Sequence, residues 1–316
     1  MRVVVTGTLG FDYIMNFSGR FADRIIPEKI DNLSLSFLVD KLNKQFGGTA
    51  GNIAYSLKLL GVEPEIVAGC GNDFADYAAH LKAHKISRAA ITPYRAVGTG
   101  SYFVVTDAPG NQIGSFYVGA NSYNARLPLP KVNAEKDFVI LAPNTPEAMK
   151  KYVTACQSKK LNYLYDPAFQ IANFTPVELR TAIVGARILI GNDYEIALIQ
   201  ERLEISHEEL LTLGPEIVLT TLGAKGSILE TRRDAIHIKP AKPKSVTDPT
   251  GAGDAYRSGF IAGYLRGLDL ITCGQMGAVA AVYTVEKYGT QTHSYSLKDF
   301  CRRYEENFGS PLKLSS

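Results

Sequence analysis

The stretch Asp248-Pro249-Thr250-Gly251-Ala252-Gly253-Asp254-Ala255-Tyr256-Arg257-Ser258-Gly259-Phe260 carries the clearest chemistry in the chain. Its turn-forming residues end at Asp254, after which Phe260, Ile261, Tyr264 and Leu265 recur at helical spacing, so it reads as a tight loop feeding a helix amino terminus. Such a terminus presents unpaired N–H groups and the positive end of the helix dipole, and small residues let an anion approach the backbone. Gly251, Ala252 and Gly253 therefore read as an anion cradle. Asp254 within it repels the anion that the N–H groups attract, which suits proton transfer better than simple binding. A carboxylate within reach of a substrate hydroxyl can orient it and accept its proton, while the amides stabilise charge on an arriving phosphoryl group. The competing reading is an aspartate that only favours the first helical turn.

Elements that must hold such a site can be read from periodicity. Short apolar runs at 3–6, 65–68, 138–142, 163–165, 188–190 and 217–220 alternate with helical stretches at 51–60, 76–83, 146–158, 193–200, 254–266 and 273–285. The alternation predicts an α/β fold, a three-layer α/β/α sandwich with a mostly parallel central sheet. Segments 13–46 and 99–118 break the rhythm and read as antiparallel strands; the second has a hairpin pattern, 101–106 and 112–117 around a turn at 107–111. Together they predict a small β-sheet lid inserted in a single domain over 1–316, excluding water from a cleft, or else ordinary surface hairpins.

Open α/β sheets bind ligands beyond the carboxyl ends of their strands, where Asp12 follows the first predicted strand. An ionised carboxylate can accept hydrogen bonds from two vicinal hydroxyls, as in a ribose 2′,3′-diol. Gly47 and Gly48 would let backbone amides reach the sugar, and Asn52 can donate and accept. A strand-end cap for Asp12 and a helix-start turn for the glycine pair stay open as alternatives.

Composition narrows the partners. Among 316 residues, Lys and Arg number 34 and Asp and Glu 31, an evenly spread net charge of +3 that suggests neither nucleic acid nor a membrane surface. The amino terminus, Met1 to Gly7, does not read as a secretory signal and no apolar run approaches spanning length, so a cytoplasmic protein is expected. Cys70, Cys156, Cys273 and Cys301 form no C-x-x-C pair and support neither zinc nor a disulfide framework. There is no G-x-x-x-x-G-K-[ST], and Gly69-Cys70-Gly71, Gly98-Thr99-Gly100 and Gly251-Ala252-Gly253 lack the third glycine of a dinucleotide fingerprint.

Asp248 through Asp254, with Gly47-Gly48-Thr49-Ala50-Gly51-Asn52, resembles the signature pair of the ribokinase-like (PfkB) carbohydrate kinase family. Gly71-Asn72-Asp73-Phe74, Asp166-Pro167, Asn192-Asp193-Tyr194-Glu195 and Thr221-Leu222-Gly223-Ala224-Lys225-Gly226 follow in the family's order, so the resemblance covers nearly the whole chain. It implies ATP as donor with Mg²⁺, Asp254 as base and Gly251, Ala252 and Gly253 as anion hole. It further implies Asp166 on the substrate side, Asn192 and Glu195 ordering hydrated Mg²⁺ and phosphate, and Thr221, Gly223 and Gly226 under the nucleotide. A K⁺ site near Asp248, and a monomer or a homodimer through the lid, are implied as well. Asp12-Tyr13-Ile14, Tyr256-Arg257 and Gly289-Thr290-Gln291-Thr292 resemble the prokaryotic nucleoside kinases, including adenosine kinases. A nucleoside needs a flat apolar wall for its base, for which Phe116, Tyr117 and Phe169 are candidates unless they form lid core. The expected reaction is transfer of the ATP γ-phosphoryl group to the 5′-hydroxyl of adenosine or a related nucleoside. A free-sugar kinase such as ribokinase and a non-catalytic nucleotide or sugar sensor are the rival readings.

Overall fold

Alternation along the strands divides the interior into two cores. In β1 (Arg2–Thr6), Val3 and Val5 join one apolar cluster and Val4 the other; in β8 (Phe138–Leu141), Phe138 and Ile140 part from Val139 and Leu141 in the same way. Side chains of a strand point alternately to its two faces, so runs of consecutive apolar residues mark a sheet covered on both sides. The computed structural model describes residues 2–26, 29, 32 and 34–314.

β1 pairs in parallel with β4 (Glu63–Cys70) on one side and β8 on the other. The sheet continues in parallel through β9 (Tyr163–Tyr165), β10 (Ile188–Asn192) and β11 (Ile217–Thr221), and at its other edge β5 (Ile91–Pro93) pairs with β4. A hairpin of β12 (Ser227–Glu230) and β13 (Ala235–Ile238) adds the antiparallel end, giving the order β13-β12-β11-β10-β9-β8-β1-β4-β5. One face is covered by α1 (Thr49–Leu59), α2 (Ala75–Ala83), α7 (Ala252–Tyr264), α8 (Leu270–Val285) and α9 (Leu297–Phe308). The other is covered by α3 (Pro146–Ser158), α4 (Pro176–Val184), α5 (Asp193–Leu203) and α6 (His207–Thr212). Among the described residues no helix is long and apolar enough to cross a membrane.

The six expected strands and six expected helices all form, and the three-layer α/β/α sandwich is the observed fold. The second sheet is also present, in the order β3-β2-β6-β7. It is made of β2 (Gly10–Asn16), β3 (Lys41–Gly47), β6 (Gly100–Thr106) and β7 (Gln112–Tyr117). Its strands begin closer to the main sheet than the segment 13–46 suggested: β2 starts at Gly10, just past the end of β1, and β3 ends at Gly47, just before α1. The two hairpin-like regions are joined by a parallel pairing of β2 with β6, which no local pattern announces.

Candidate active site

The loop before α7 is built as a cradle. Asp248 is buried, and its carboxylate accepts from Thr250 N at 2.9 Å and from Gly289 N at 3.1 Å, tying the loop to the segment that follows α8. Gly251 caps α7 with φ +77°, and a Cβ there would stand 2.8 Å from Thr290 Cγ2, so conformation and space both call for glycine. Ala255 N donates to Gly251 O and opens the helix, while the Gly253 and Asp254 amides have no backbone acceptor among the described residues. These are the free donors that a phosphoryl oxygen needs.

Asp254, in the first turn of α7, is held from α1. Asn52 Nδ2 donates to Asp254 Oδ2 at 2.9 Å, and Asn52 Oδ1 lies 2.7 Å from the Thr290 hydroxyl and accepts from Gln291 Nε2 at 2.9 Å. Gln291 Nε2 also donates to the Tyr77 hydroxyl at 2.7 Å, and Tyr77 donates to Gly47 O at 2.8 Å. The amide of Asn52 is thus oriented by a buried network, leaving one Asp254 oxygen free of this bond. Burial raises the Asp254 carboxyl above its ordinary range, while the Arg257 charge and the Asn52 hydrogen bond pull it back.

On the small sheet one row crosses all four strands. Asp12 of β2 pairs with Gln45 of β3 and Tyr102 of β6, and Tyr102 pairs with Phe116 of β7. Directly paired residues share a face, so Gln45, Asp12, Tyr102 and Phe116 stand together on one side of the sheet. That side faces α7: burial first, then the negative charges of Asp254 and Asp248, push the Asp12 carboxyl up to about 7. A Cβ at Gly47 would overlap the Asp12 carboxylate, so this residue must be glycine for Asp12 to lie where it does. Gly48 is the N-cap of α1. Tyr117 points to the other side of the small sheet from Phe116 and packs at Gly98 and Gly119; Phe169 sits on the 3-10 turn Ala168–Asn173 after β9, outside this sheet.

The other predicted residues lie beyond the carboxyl ends of β9, β10 and β11. Thr221, Gly223 and Gly226 line a largely apolar cleft of about 550 Å³ that also takes in Ala252 and Gly253, Val246 and Val282. The cradle therefore forms part of the wall of this cleft, while Asp254 is held from the Asn52 side. Asn192 and Glu195 form a capping box at the start of α5: Glu195 N donates to Asn192 Oδ1 and Asn192 N to Glu195 Oε2, each at 2.8 Å. The N-x-x-E pattern thus starts a helix and leaves the second Glu195 oxygen outside the box. Asp166, expected on the substrate side, has no exposed surface in this structure. It is completely buried, with Oδ2 2.5 Å from Arg257 Nε, and burial raises its carboxyl to about 6 despite the Arg257 charge.

Residues assigned no site role from the sequence include Tyr77 and Tyr102, and also Arg257, Thr290 and Gln291, which entered only as part of the resemblance to nucleoside kinases. Arg257 had a readable signal, since it follows Asp254 at i+3 on the same helix, and such residues are surface neighbours. Tyr102 could have been paired with Phe116 from the hairpin register. Nothing local gives Gln291 or Tyr77 its role in holding Asn52, because their partners come from distant elements.

Residues 11–296 match the profile of the pfkB family carbohydrate kinases. The chain is 31% identical over 311 residues to a nucleoside kinase of Methanothermobacter thermautotrophicus, covering 97% of this chain and 96% of that one. Its fold superposes on the Burkholderia thailandensis nucleoside kinase in complex with inosine with a TM-score of 0.89 at 28% identity, over 98% of this chain and 99% of that one. The same enzyme in complex with ADP-inosine gives a TM-score of 0.87, also at 28% identity, over 99% of this chain and 98% of that one. With an aspartate in the first turn of the helix that follows a glycine loop, in a ribokinase-like fold, the chain belongs to the pfkB carbohydrate kinase family and is a phosphotransferase acting on an alcohol group.

Proposed function

We propose that the chain transfers the γ-phosphoryl group of ATP to the 5′-hydroxyl of a nucleoside, adenosine foremost, giving the 5′-monophosphate and ADP. The row Gln45, Asp12, Tyr102 and Phe116 carries this reading. Neighbouring strands lie about 4.8 Å apart, so the row sets a diol acceptor and two aromatic faces within roughly 10 Å, the scale of a ribose with its base. A free sugar would need Asp12 but not the aromatic pair. The inosine held by the similar B. thailandensis enzyme supports the same choice.

In this reading Asp12 accepts from the ribose 2′- and 3′-hydroxyls, and Asn52 steadies Asp254 so that its open oxygen takes the 5′-hydroxyl proton. The 5′-oxygen of the nucleoside then attacks the γ-phosphorus and ADP leaves, the charge on the transferring group being met by the Gly253 and Asp254 amides and the helix dipole. The nucleotide occupies the cleft at Thr221, Gly223 and Gly226. The Glu195 oxygen outside the capping box suits a water ligand of hydrated Mg²⁺, which would neutralise the donor phosphates. Each Asp248 oxygen accepts one amide and keeps a lone pair that suits K⁺. A second copy would pair along β7, an edge strand exposed over its whole length.

The test is to identify products by phosphorus NMR from adenosine, inosine, cytidine and ribose, beside 5′-deoxyadenosine. A 5′-monophosphate, no product from the deoxy analogue, and a KM for adenosine about tenfold higher in Phe116→Ala are expected. A higher kcat/KM for ribose than for any nucleoside would move the substrate class to free sugars.

A further inference from the structure

The cradle contains a cation that proton transfer by Asp254 does not use. Arg257 lies one turn along α7 with its side chain only 11% exposed. Its Nη1 would stand 2.6 Å from a Cβ built on Gly253, so the guanidinium covers the first turn of the helix, beside the free amides. Its partner is Asp166, at the end of β9, with Nε 2.5 Å from Oδ2 but without the alignment of a hydrogen bond. Nε and the Asp166 carboxylate form a buried ion pair, while among the described residues the Nη donors of Arg257 make no hydrogen bond.

Buried charges are nearly always paired, as this one is with Asp166, and donors that such a pair leaves over are costly unless something accepts from them. A guanidinium whose Nε is held by Asp166 and whose Nη donors are unspent over an anion cradle is therefore arranged for an anion that arrives later. We propose that Arg257 is a catalytic residue that donates to the γ-phosphoryl group as it transfers, and that Asp166 is the positioning residue that holds the guanidinium over Gly253. In that step the bond between the γ-phosphorus and the β,γ-bridging oxygen breaks, and its electron pair leaves with ADP. The bond from the acceptor oxygen to phosphorus forms, and the hydroxyl proton passes to Asp254. Charge shifts onto the non-bridging and leaving oxygens, where the planar fork of an arginine can give two charge-assisted bonds. The same charge offsets the repulsion between Asp254 and the phosphate. A lysine at this position would supply charge without the fork.

The inference rests on the kinase reading, which wild-type turnover of ATP with adenosine tests separately in the same assay. Arg257→Ala should lower kcat about 10²–10³-fold, with KM for adenosine within about threefold and partial rescue by added guanidinium. Calorimetry should show weakened binding of ADP with tetrafluoroaluminate in the presence of adenosine, and ADP alone bound within about threefold of wild type. Because removing Arg257 leaves Asp166 buried and unpaired, the doubly neutral Arg257→Met/Asp166→Asn chain is measured beside it. The double variant should fold and stay as slow as the single one. Wild-type kcat in the folded double variant, or equal loss of ADP and ADP–fluoroaluminate affinity in Arg257→Ala, would overturn the assignment and leave the pair a structural one.

Discussion

Asp12, Asp248 and Asp254 bring three carboxylates to one cleft, and the consequence falls on Asp12, whose carboxyl is pushed up to about 7 by burial and by the other two. It must be ionised to accept from two hydroxyls. The KM for the nucleoside should therefore climb as pH falls below about 7, approaching tenfold per unit for a single proton, and in Asp12→Asn it should be high and flat. A wild-type KM that does not move between pH 5.5 and 8 would contradict this role. The same group makes a stability prediction. Its folded value lies above its ordinary 3.8, so between about pH 4 and 7 the folded chain keeps a proton that the unfolded chain has lost, and stability falls as pH rises through that window. At pH 8 Asp12→Asn should be more stable than wild type, by about 1–2 kcal/mol on denaturant titration. Asp254 and Asp12 were legible because their chemistry is local: one sits in a glycine loop at a helix start, the other just past a strand. The pairing of Asp166 with Arg257 was not legible, because Arg257 comes from a distant helix that only the folded chain brings to the end of β9.

At the scale of elements, the site depends on where α7 begins. Gly251 sets that point with its left-handed backbone, and Thr290, against which any side chain there would press, also contacts Asn52. Gly251→Ala should cost about 1–2 kcal/mol from the backbone alone. By displacing Thr290 and Asn52 it should also lower kcat by at least about tenfold, since misplacement on the ångström scale is costly in catalysis. Wild-type kcat in this variant would show that the cradle tolerates movement. The strands that shape the carboxyl edge were legible as apolar runs because both faces of the sheet are covered. The short strands β5, β12 and β13 were not, being three or four residues long with half-buried or exposed positions among them. Helices α4 and α9 carried readable starts, Thr175-Pro176-Val177-Glu178 and Ser296-Leu297-Lys298-Asp299, in which capping boxes form. The N-x-x-E motif of α5 was read only for phosphate chemistry, although the same two side chains also cap the helix.

Across the whole molecule, the first turn of α7 lies between the Asp12 row of the small sheet and the apolar cleft. In the proposed reaction the small sheet would cover the acceptor with Asp12, Tyr102 and Phe116, and the apolar cleft near Val246 and Val282 would take the donor. The architecture was legible because it repeats a local rhythm of strand and helix. The parallel pairing of β2 with β6, which completes the small sheet and aligns Asp12 with Tyr102, was not, since no neighbouring residues encode a contact between distant segments. The most direct test is steady-state ADP release with ATP, Mg²⁺ and adenosine in wild type and Asp254→Asn, with adenosine binding followed by calorimetry. Turnover in wild type, a kcat about 10²–10⁴-fold lower in the variant, and adenosine affinity kept within about threefold are expected. Wild-type turnover in Asp254→Asn would contradict the assignment of Asp254 as the base at the centre of the site.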